Sequence, residues 1–405
     1  MGCKSILYVL PFVLPLLHGC LNMGPDAAYS NDLHTLSVRL VYPEGKTSFM
    51  HEGVEVSFEN YASGVRYVLK TDASGKVAPE LTNGIYRISA SDKVGNSIFN
   101  GNIDKALMVG SDVSVDLNLV YSEAGDLLIK EIYCGGCSMA PKEGVYQSDK
   151  YVIVHNNSPS EQYLDSLCIG TIAPYNSNST PIKWSSDGEL PPFAPVILAV
   201  LRVGGNGKSF PLQSGEDAIF CLNGAIDHTV NYPLSVNLNR PDCFVCYNTT
   251  YFPNPIYHPA PGDKVSADRI LKVVIKTGVA SAYTLSNNSP AIIIFKAKGK
   301  SINEFVASPD NIIQIPGSFE KVVKIPLEWV IDGVEVFNGS STSNSKRLGN
   351  SIDAGFVSLS ETYKGKTLMR KKDDRASAEN GYEVLFDTNN STNDLYESKV
   401  QSLHK

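Results

Sequence analysis

Leu36-Ser37-Val38-Arg39-Leu40 and Val54-Glu55-Val56-Ser57-Phe58 set apolar and polar side chains in strict alternation. Successive side chains on a strand point to opposite faces, so a period of two marks a half-buried strand. The period returns at Val65, Tyr67 and Leu69, at Tyr86, Ile88 and Ala90, and at Val113, Val115, Leu117 and Leu119. Turn residues separate the runs: Ala62-Ser63-Gly64, Asp72-Ala73-Ser74-Gly75 and Asn83-Gly84. No long segment repeats its apolar residues every 3.6 positions. The expectation is an all-β chain whose first β-sandwich spans residues 35–122.

Beyond it the pattern changes. Leu127-Leu128-Ile129-Lys130-Glu131-Ile132-Tyr133 reads as a strand with a central glutamate. Tyr151-Val152-Ile153-Val154-His155-Asn156 and Tyr163 to Ile169 follow. Ala291-Ile292-Ile293-Ile294-Phe295 is apolar throughout, which predicts a central strand, and Leu271 to Ile275 reads as a second buried one. Residues 175–320 are otherwise rich in Pro, Asn and Gly. They predict long loop insertions in a second sandwich over 126–405.

At the other end, Lys4 precedes an almost wholly apolar run, Ile6 to Leu17, broken by Pro11 and Pro15. The run has the length of a signal h-region and is too short to span a bilayer as a helix. It ends at Leu17-His18-Gly19-Cys20, which resembles the bacterial lipobox. The resemblance implies a signal peptide at 1–19, a lipid on Cys20 and a tether over 20–34. Several acyl chains hold a protein to a membrane where one does so weakly. By analogy with known lipoproteins, Leu21 in place of an aspartate disfavours retention in the inner membrane, so the expected location is the outer membrane, lipid-anchored. Display at the cell surface is a separate expectation that Leu21 does not decide.

The 405 residues are 42% hydrophobic and 19% charged, with a net charge of −7. No basic stretch carries interleaved aromatics, so nucleic acid is excluded as an expected partner. Of eight cysteines, Cys3 leaves with the signal and Cys20 takes the lipid. Cys134, Cys137, Cys168, Cys221, Cys243 and Cys246 remain. An even number in an oxidising compartment predicts disulfides. Two pairings compete: Cys134/Cys137 with Cys243/Cys246, or each C-x-x-C closed locally, with Cys168–Cys221 as a third bridge. Four thiolates from the two C-x-x-C pairs would also suit one tetrahedral zinc.

Three resemblances add to these expectations. Thr71-Asp72-Ala73-Ser74-Gly75-Lys76-Val77, followed by Leu81-Thr82-Asn83-Gly84-Ile85-Tyr86-Arg87-Ile88, resembles the prealbumin-like domain of carboxypeptidase regulatory regions. That domain implies a spacer or binding platform without catalytic groups. The order Leu127–Tyr133, Tyr151–Ser158, Tyr163–Ile169 resembles the start of the lamin-tail immunoglobulin-like fold, without its tryptophan before Ile169. Val330-Ile331-Asp332-Gly333-Val334-Glu335, Lys346-Arg347-Leu348, Ile352-Asp353-Ala354-Gly355-Phe356, Tyr363 to Lys372 and Asp387-Thr388-Asn389-Asn390-Ser391-Thr392-Asn393-Asp394-Leu395 resemble a family of uncharacterised Bacteroidetes lipoproteins of unknown function. The last motif, D-T-N-N-S-x-x-D, is the most specific. The family implies an envelope location and the company of TonB-dependent outer-membrane transporters.

Other motifs carry little chemistry. Gly204-Gly205-Asn206-Gly207-Lys208-Ser209 has the look of a phosphate loop, but Arg202 stands where the first glycine belongs, so a hairpin is expected. There is no G-x-S-x-G elbow and no H-E-x-x-H helix, and His155, His228 and His258 are scattered. The oxygens of Asp387 to Ser391 suit calcium, yet Asx caps explain the same composition. Arg370, Lys371 and Lys372 read as a solvated face. Asp165-Ser166-Leu167 resembles a short bacterial O-glycosylation sequon. Tyr232, Tyr247, Tyr251, Phe252 and Tyr257 form a candidate ligand platform. No enzyme and no cofactor are expected. The functional expectation is a non-catalytic surface lipoprotein that binds a glycan or protein ligand, accessory to a nutrient transporter. The alternatives are a structural or adhesive surface protein and a metal-capturing protein.

Overall fold

A computed structural model describes residues 32–186, 188–339 and 343–404. The signal, Cys20 and most of the tether lie outside them. Among the described residues no helix is long and apolar enough to cross a membrane. The protein is all-β, with strands in sandwich-like layers.

In the first sandwich, Leu33–Val41 pairs in parallel with Val113–Asn118 and antiparallel with Lys76–Val77 and Glu80–Thr82. The facing sheet runs Arg66–Lys70, Glu55–Asn60, Gly84–Val94, Ser97–Met108, Val120–Glu123. Leu36, Val38 and Leu40 from one sheet meet Val56, Phe58, Ile88 and Phe99 from the other. Full burial of each such side chain contributes about 1.5–3 kcal/mol. The Asp72–Gly75 turn forms as the residues demand: Asp72 Oδ1 accepts from Ser74 N and Lys76 N, and Gly75 takes φ +72°. One expectation fails. Val65, Tyr67 and Leu69 are 46, 45 and 38% exposed, because Arg66–Lys70 is the edge strand and lies bare on both faces.

The second sandwich has a six-stranded sheet ordered Cys243–Val245, Asp217–Cys221, Tyr151–Asn156, Leu127–Tyr133, Thr367–Arg370, Leu395–Ser398. The other sheet runs Ile312–Gln314, Lys321–Ile325, Ala194–Arg202, Cys168–Ile172, Ala291–Phe295, Val330–Asn338, Val357–Leu359, with Lys272–Lys276 also on Ala194–Arg202. Leu127, Ile132, Val152, Phe220, Ile169 and Ile292 fill the space between them. Both outer faces are also covered, which explains why Ala291–Phe295 is apolar without alternation. The helix Ile302–Ala307, started by a Ser301/Glu304 capping box, lays Phe305 on Trp329 over one face. Ala225, Val236 and Leu238 from a loop excursion cover the other. Lys272–Lys276 corrects the expected second buried strand: Leu271 is buried, but the strand itself is half-exposed at a sheet margin.

Buried charge organises the joint between the sandwiches. Arg370 is not on a solvated face. Its guanidinium is 2% exposed, 2.7 Å from Asp332 and 3.5 Å from both Asp387 and Asp394. Asp387 also accepts from the backbone N–H of Gly125, in the linker between the sandwiches. From the first sandwich, Lys93 Nζ donates to the carbonyl of Asp387, and Asn100 Nδ2 to those of Thr388 and Asn389. Asn390 caps the short helix Ser391–Asp394 by accepting from Thr392 N. The D-T-N-N-S-x-x-D motif is therefore a clasp. Its carboxylates are committed to an arginine and to backbone N–H groups.

Candidate functional site

The face of the five-stranded sheet that points away from its own core is polar. Cross-strand register sets Ser57 opposite Ser89, Glu59 opposite Arg87, Ser89 opposite Asn102 and Ser91 opposite Asn100. The clasp covers the Asn100 end of this face. The remainder forms the floor of a cleft of about 730 Å³ between the two sandwiches. That size falls within the roughly 300–1,000 Å³ of ligand pockets. Trp184, Glu189, Leu190 and Phe356 of the second sandwich contribute to the opposite wall.

Arg87 anchors the floor. It donates to Tyr61 Oη at 2.9 Å and lies 3.6 Å from both Glu59 and Asp104. Its guanidinium carbon sits 4.9 Å from the Tyr61 ring centre and 5.2 Å from that of Phe356, across the joint. Phe356 is stacked in turn on Phe337, at 4.1 Å. Trp184 is half-buried and packs edge-on to Phe193, at 5.7 Å. Arg66 Nε donates to Ser57 Oγ at 2.6 Å. Among the described residues the buried atoms Asn102 Oδ1, Ser91 Oγ and Asn100 Oδ1 have no hydrogen-bond partner. Buried polar atoms are almost always paired, so three orphans on one face are unusual.

The cysteines depart from expectation. All six are buried free thiols. Cys243 joins the apolar cluster outside the six-stranded sheet, whereas Cys246 joins the core inside it, so that pair parts to opposite faces. Cys168 lies on the far face of the other sheet from that core, remote in packing from Cys221, so the Cys168–Cys221 bridge does not form. Cys134 Sγ reaches the carbonyl of Asn287 at 3.7 Å and Cys137 Sγ reaches Asp149 at 3.8 Å. Burial pushes the thiols of Cys134 and Cys137 up to about 12, so neither is a ready thiolate at neutral pH. Among the described residues no group of three or more His, Cys, Asp or Glu could hold a metal ion.

The aromatic platform does not assemble either. Phe252 is core, packed on Tyr283 and His258. Tyr232 stacks on Tyr146 at 3.8 Å, Tyr257 accepts from Gln147, and Tyr247 packs against the outer cluster. Tyr251 is exposed, at 41%. The loop folds onto its own sandwich, where ring burial outweighs solvent contact. The histidines are structural: His155 bridges Asp217 and the carbonyl of Glu383, and His258 joins Cys246 O to Tyr283 N. In the Gly204–Ser209 loop, Gly207 N and Ser209 N both donate to Asp165, so the apparent phosphate cradle already holds a carboxylate.

The cleft residues leave little mark in the sequence. Their signal is the polar half of each alternation, and an ordinary wet sheet face leaves the same trace.

Comparison with known proteins gives a family match within the second sandwich and a structural match over most of the chain. Residues 213–402 match the model of the DUF4876 family, described as a protein of unknown function. The DUF4876 match begins just before the strand Asp217–Cys221 and takes in the clasp, Trp329 and the Phe356 wall of the cleft. The chain is similar to a DUF4876 family protein from Bacteroides thetaiotaomicron known by its crystal structure. The identity is 25% and the TM-score 0.59, over 91% of this chain and 96% of that one. The likeness thus extends to the first sandwich as well. The Bacillus anthracis TIE protein matches over 46% of this chain and 32% of that one, at 11% identity and a TM-score of 0.18. No curated protein matches.

Proposed function

We propose that this chain is a non-catalytic, lipid-anchored binding protein of the outer membrane whose ligand occupies the cleft between its sandwiches. One observation carries the reading: a polar sheet face bearing Ser57, Glu59, Arg87, Ser89 and Asn102 floors a cleft of about 730 Å³ walled on its other side by the second sandwich. The prealbumin-like module then serves as both spacer and binding floor, and the acyl chains on Cys20 hold the pair at the membrane. A TonB-dependent transporter, which the lipoprotein family implies, would receive what the cleft holds.

A photoreactive benzoylphenylalanine at Glu189, in the full chain in native envelopes, tests the site. The expected result is an adduct from Glu189 and none from exposed Val279. Equal labelling from both would overturn the cleft as the binding site. Cys20→Ser tests the anchor: it is expected to abolish acyl labelling and to release the protein from membranes. The transporter is tested by co-purification from crosslinked envelopes.

A further inference from the structure

We propose that the occupant of the cleft is a neutral oligosaccharide, held by the Ser57–Ser89–Asn102 row and by Trp184. This deepens the binding role proposed for the cleft and rests on it. The floor is the face of a sheet, so its backbone N–H and C=O groups are already spent on neighbouring strands. An extended peptide that recognises a sheet does so by pairing with a free edge. Here recognition falls to side chains.

Those side chains both donate and accept. Ser57 and Ser89 offer hydroxyls, Asn102 an amide, and Glu59 and Asp104 carboxylates. Hydroxyl groups, which donate and accept at once, complement such a mixture. Charge argues the same way. Arg87 lies between Glu59 and Asp104, and Arg347, at the back of the cleft, is paired with Glu335 at 2.6 Å. Lys346 donates to the carbonyls of Asp353 and Gly355. Arg87, Arg347 and Lys346 are thus engaged. Of the cleft's other cations, Arg66 donates to Ser57 Oγ and Lys105 stands outside any ion pair among the described residues, so hexagalacturonate is the probe that tests for an anionic occupant. The half-buried indole of Trp184 adds an aromatic surface to the wall, of the kind that covers the apolar C–H face of a sugar ring.

The test uses the full chain and three probe sets in titration calorimetry. The sets are neutral hexasaccharides (maltohexaose, xylohexaose and mannohexaose), hexagalacturonate, and a panel of uncharged hexapeptides. At least one neutral hexasaccharide is expected to bind, with less than about a twofold change in affinity between 50 and 500 mM salt, since screening acts on net charge. Trp184→Ala and Asn102→Ala are each expected to weaken it at least tenfold with an unchanged unfolding midpoint. Ser89→Trp, which fills the floor, should abolish binding, and serves where the other variants fold poorly. Binding of none of the neutral sugars, or preference for hexagalacturonate with steep salt dependence, overturns the proposal. A hexapeptide bound in the cleft, blocked by Ser89→Trp, would overturn the sugar while leaving the cleft as a binding site intact. Sugar binding indifferent to all three variants would overturn both.

Discussion

Arg370 shows how much one side chain can hold. Desolvation disfavours its charge, and Asp332, Asp387 and Asp394 restore it, raising its already high pKa. Arg370→Met would leave these carboxylates buried without a cation. Removing one partner of a buried ion pair costs about 3–5 kcal/mol, because the other charge remains unpaired. The expected outcome is a loss of that order in urea denaturation, larger than for Arg375→Ala, whose side chain is exposed. Asp149 sits under the same physics with the opposite sign. It accepts from Ser235 Oγ and Tyr133 Oη, but among the described residues its Oδ1 has no side-chain partner, and burial pushes its carboxyl up to about 6. A carboxyl raised in the fold binds its proton more tightly there than in the unfolded chain. Its contribution is therefore full below about pH 4 and is lost as pH rises through about 6. A proton held across that interval of pH is worth about 3 kcal/mol. The Asp149→Asn variant is expected to lack that loss, so the fall in stability from pH 4 to pH 7 should shrink by on the order of 3 kcal/mol, measured by denaturation across that range.

Strands whose two faces differ were legible in the sequence, and those whose two faces match were not. Leu36 to Leu40 and Val54 to Phe58 alternate because one face meets the core. Ser97–Met108, the longest strand of the first sandwich, carries no such signal: Ile98, Phe99 and Asn100 are all buried, the last against the second sandwich. Arg66–Lys70 misled in the opposite sense, since its alternation belongs to an edge that nothing covers. An uncovered edge with apolar side chains invites pairing with another chain. Val68, 49% exposed on that strand, gives a direct check. Val68→Lys is expected to change stability by less than about 0.5 kcal/mol while reducing self-association at high concentration, read by light scattering. The polar motif at 387–394 was legible as Asx caps, and Asn390 does cap a turn. What the sequence hid was the partner, because Asn100 and Lys93 lie far away in the other sandwich.

In the whole molecule, clasp and cleft share one sheet face, so rigidity at one end supports recognition at the other. Asn100→Ala would strip hydrogen bonds from two carbonyls at the joint. An unsatisfied buried polar group costs about 1–3 kcal/mol. The expected result in calorimetry is two separated unfolding transitions in place of one, together with weaker occupancy of the cleft. The cleft itself could not be read in advance, because it exists only once two cores, drawn from residues 36–119 and 127–395, are set side by side. Legible residue chemistry such as the cysteines pointed elsewhere, and packing separated Cys168 from Cys221 and Cys243 from Cys246.

Glu131, fully buried near the beginning of the second sandwich, ties that beginning to the end of the chain. It accepts from Tyr151 Oη and Thr367 Oγ1, and from the N–H and hydroxyl of Ser402. Leu395–Ser398 closes the same sheet beside Thr367–Arg370. Contacts this distant in sequence form slowly, and chain between them must be present first. A growing polypeptide therefore emerges with its first sandwich ready to fold and its second still open, a long stretch of unfinished sheet that stays pliable until its final strand arrives.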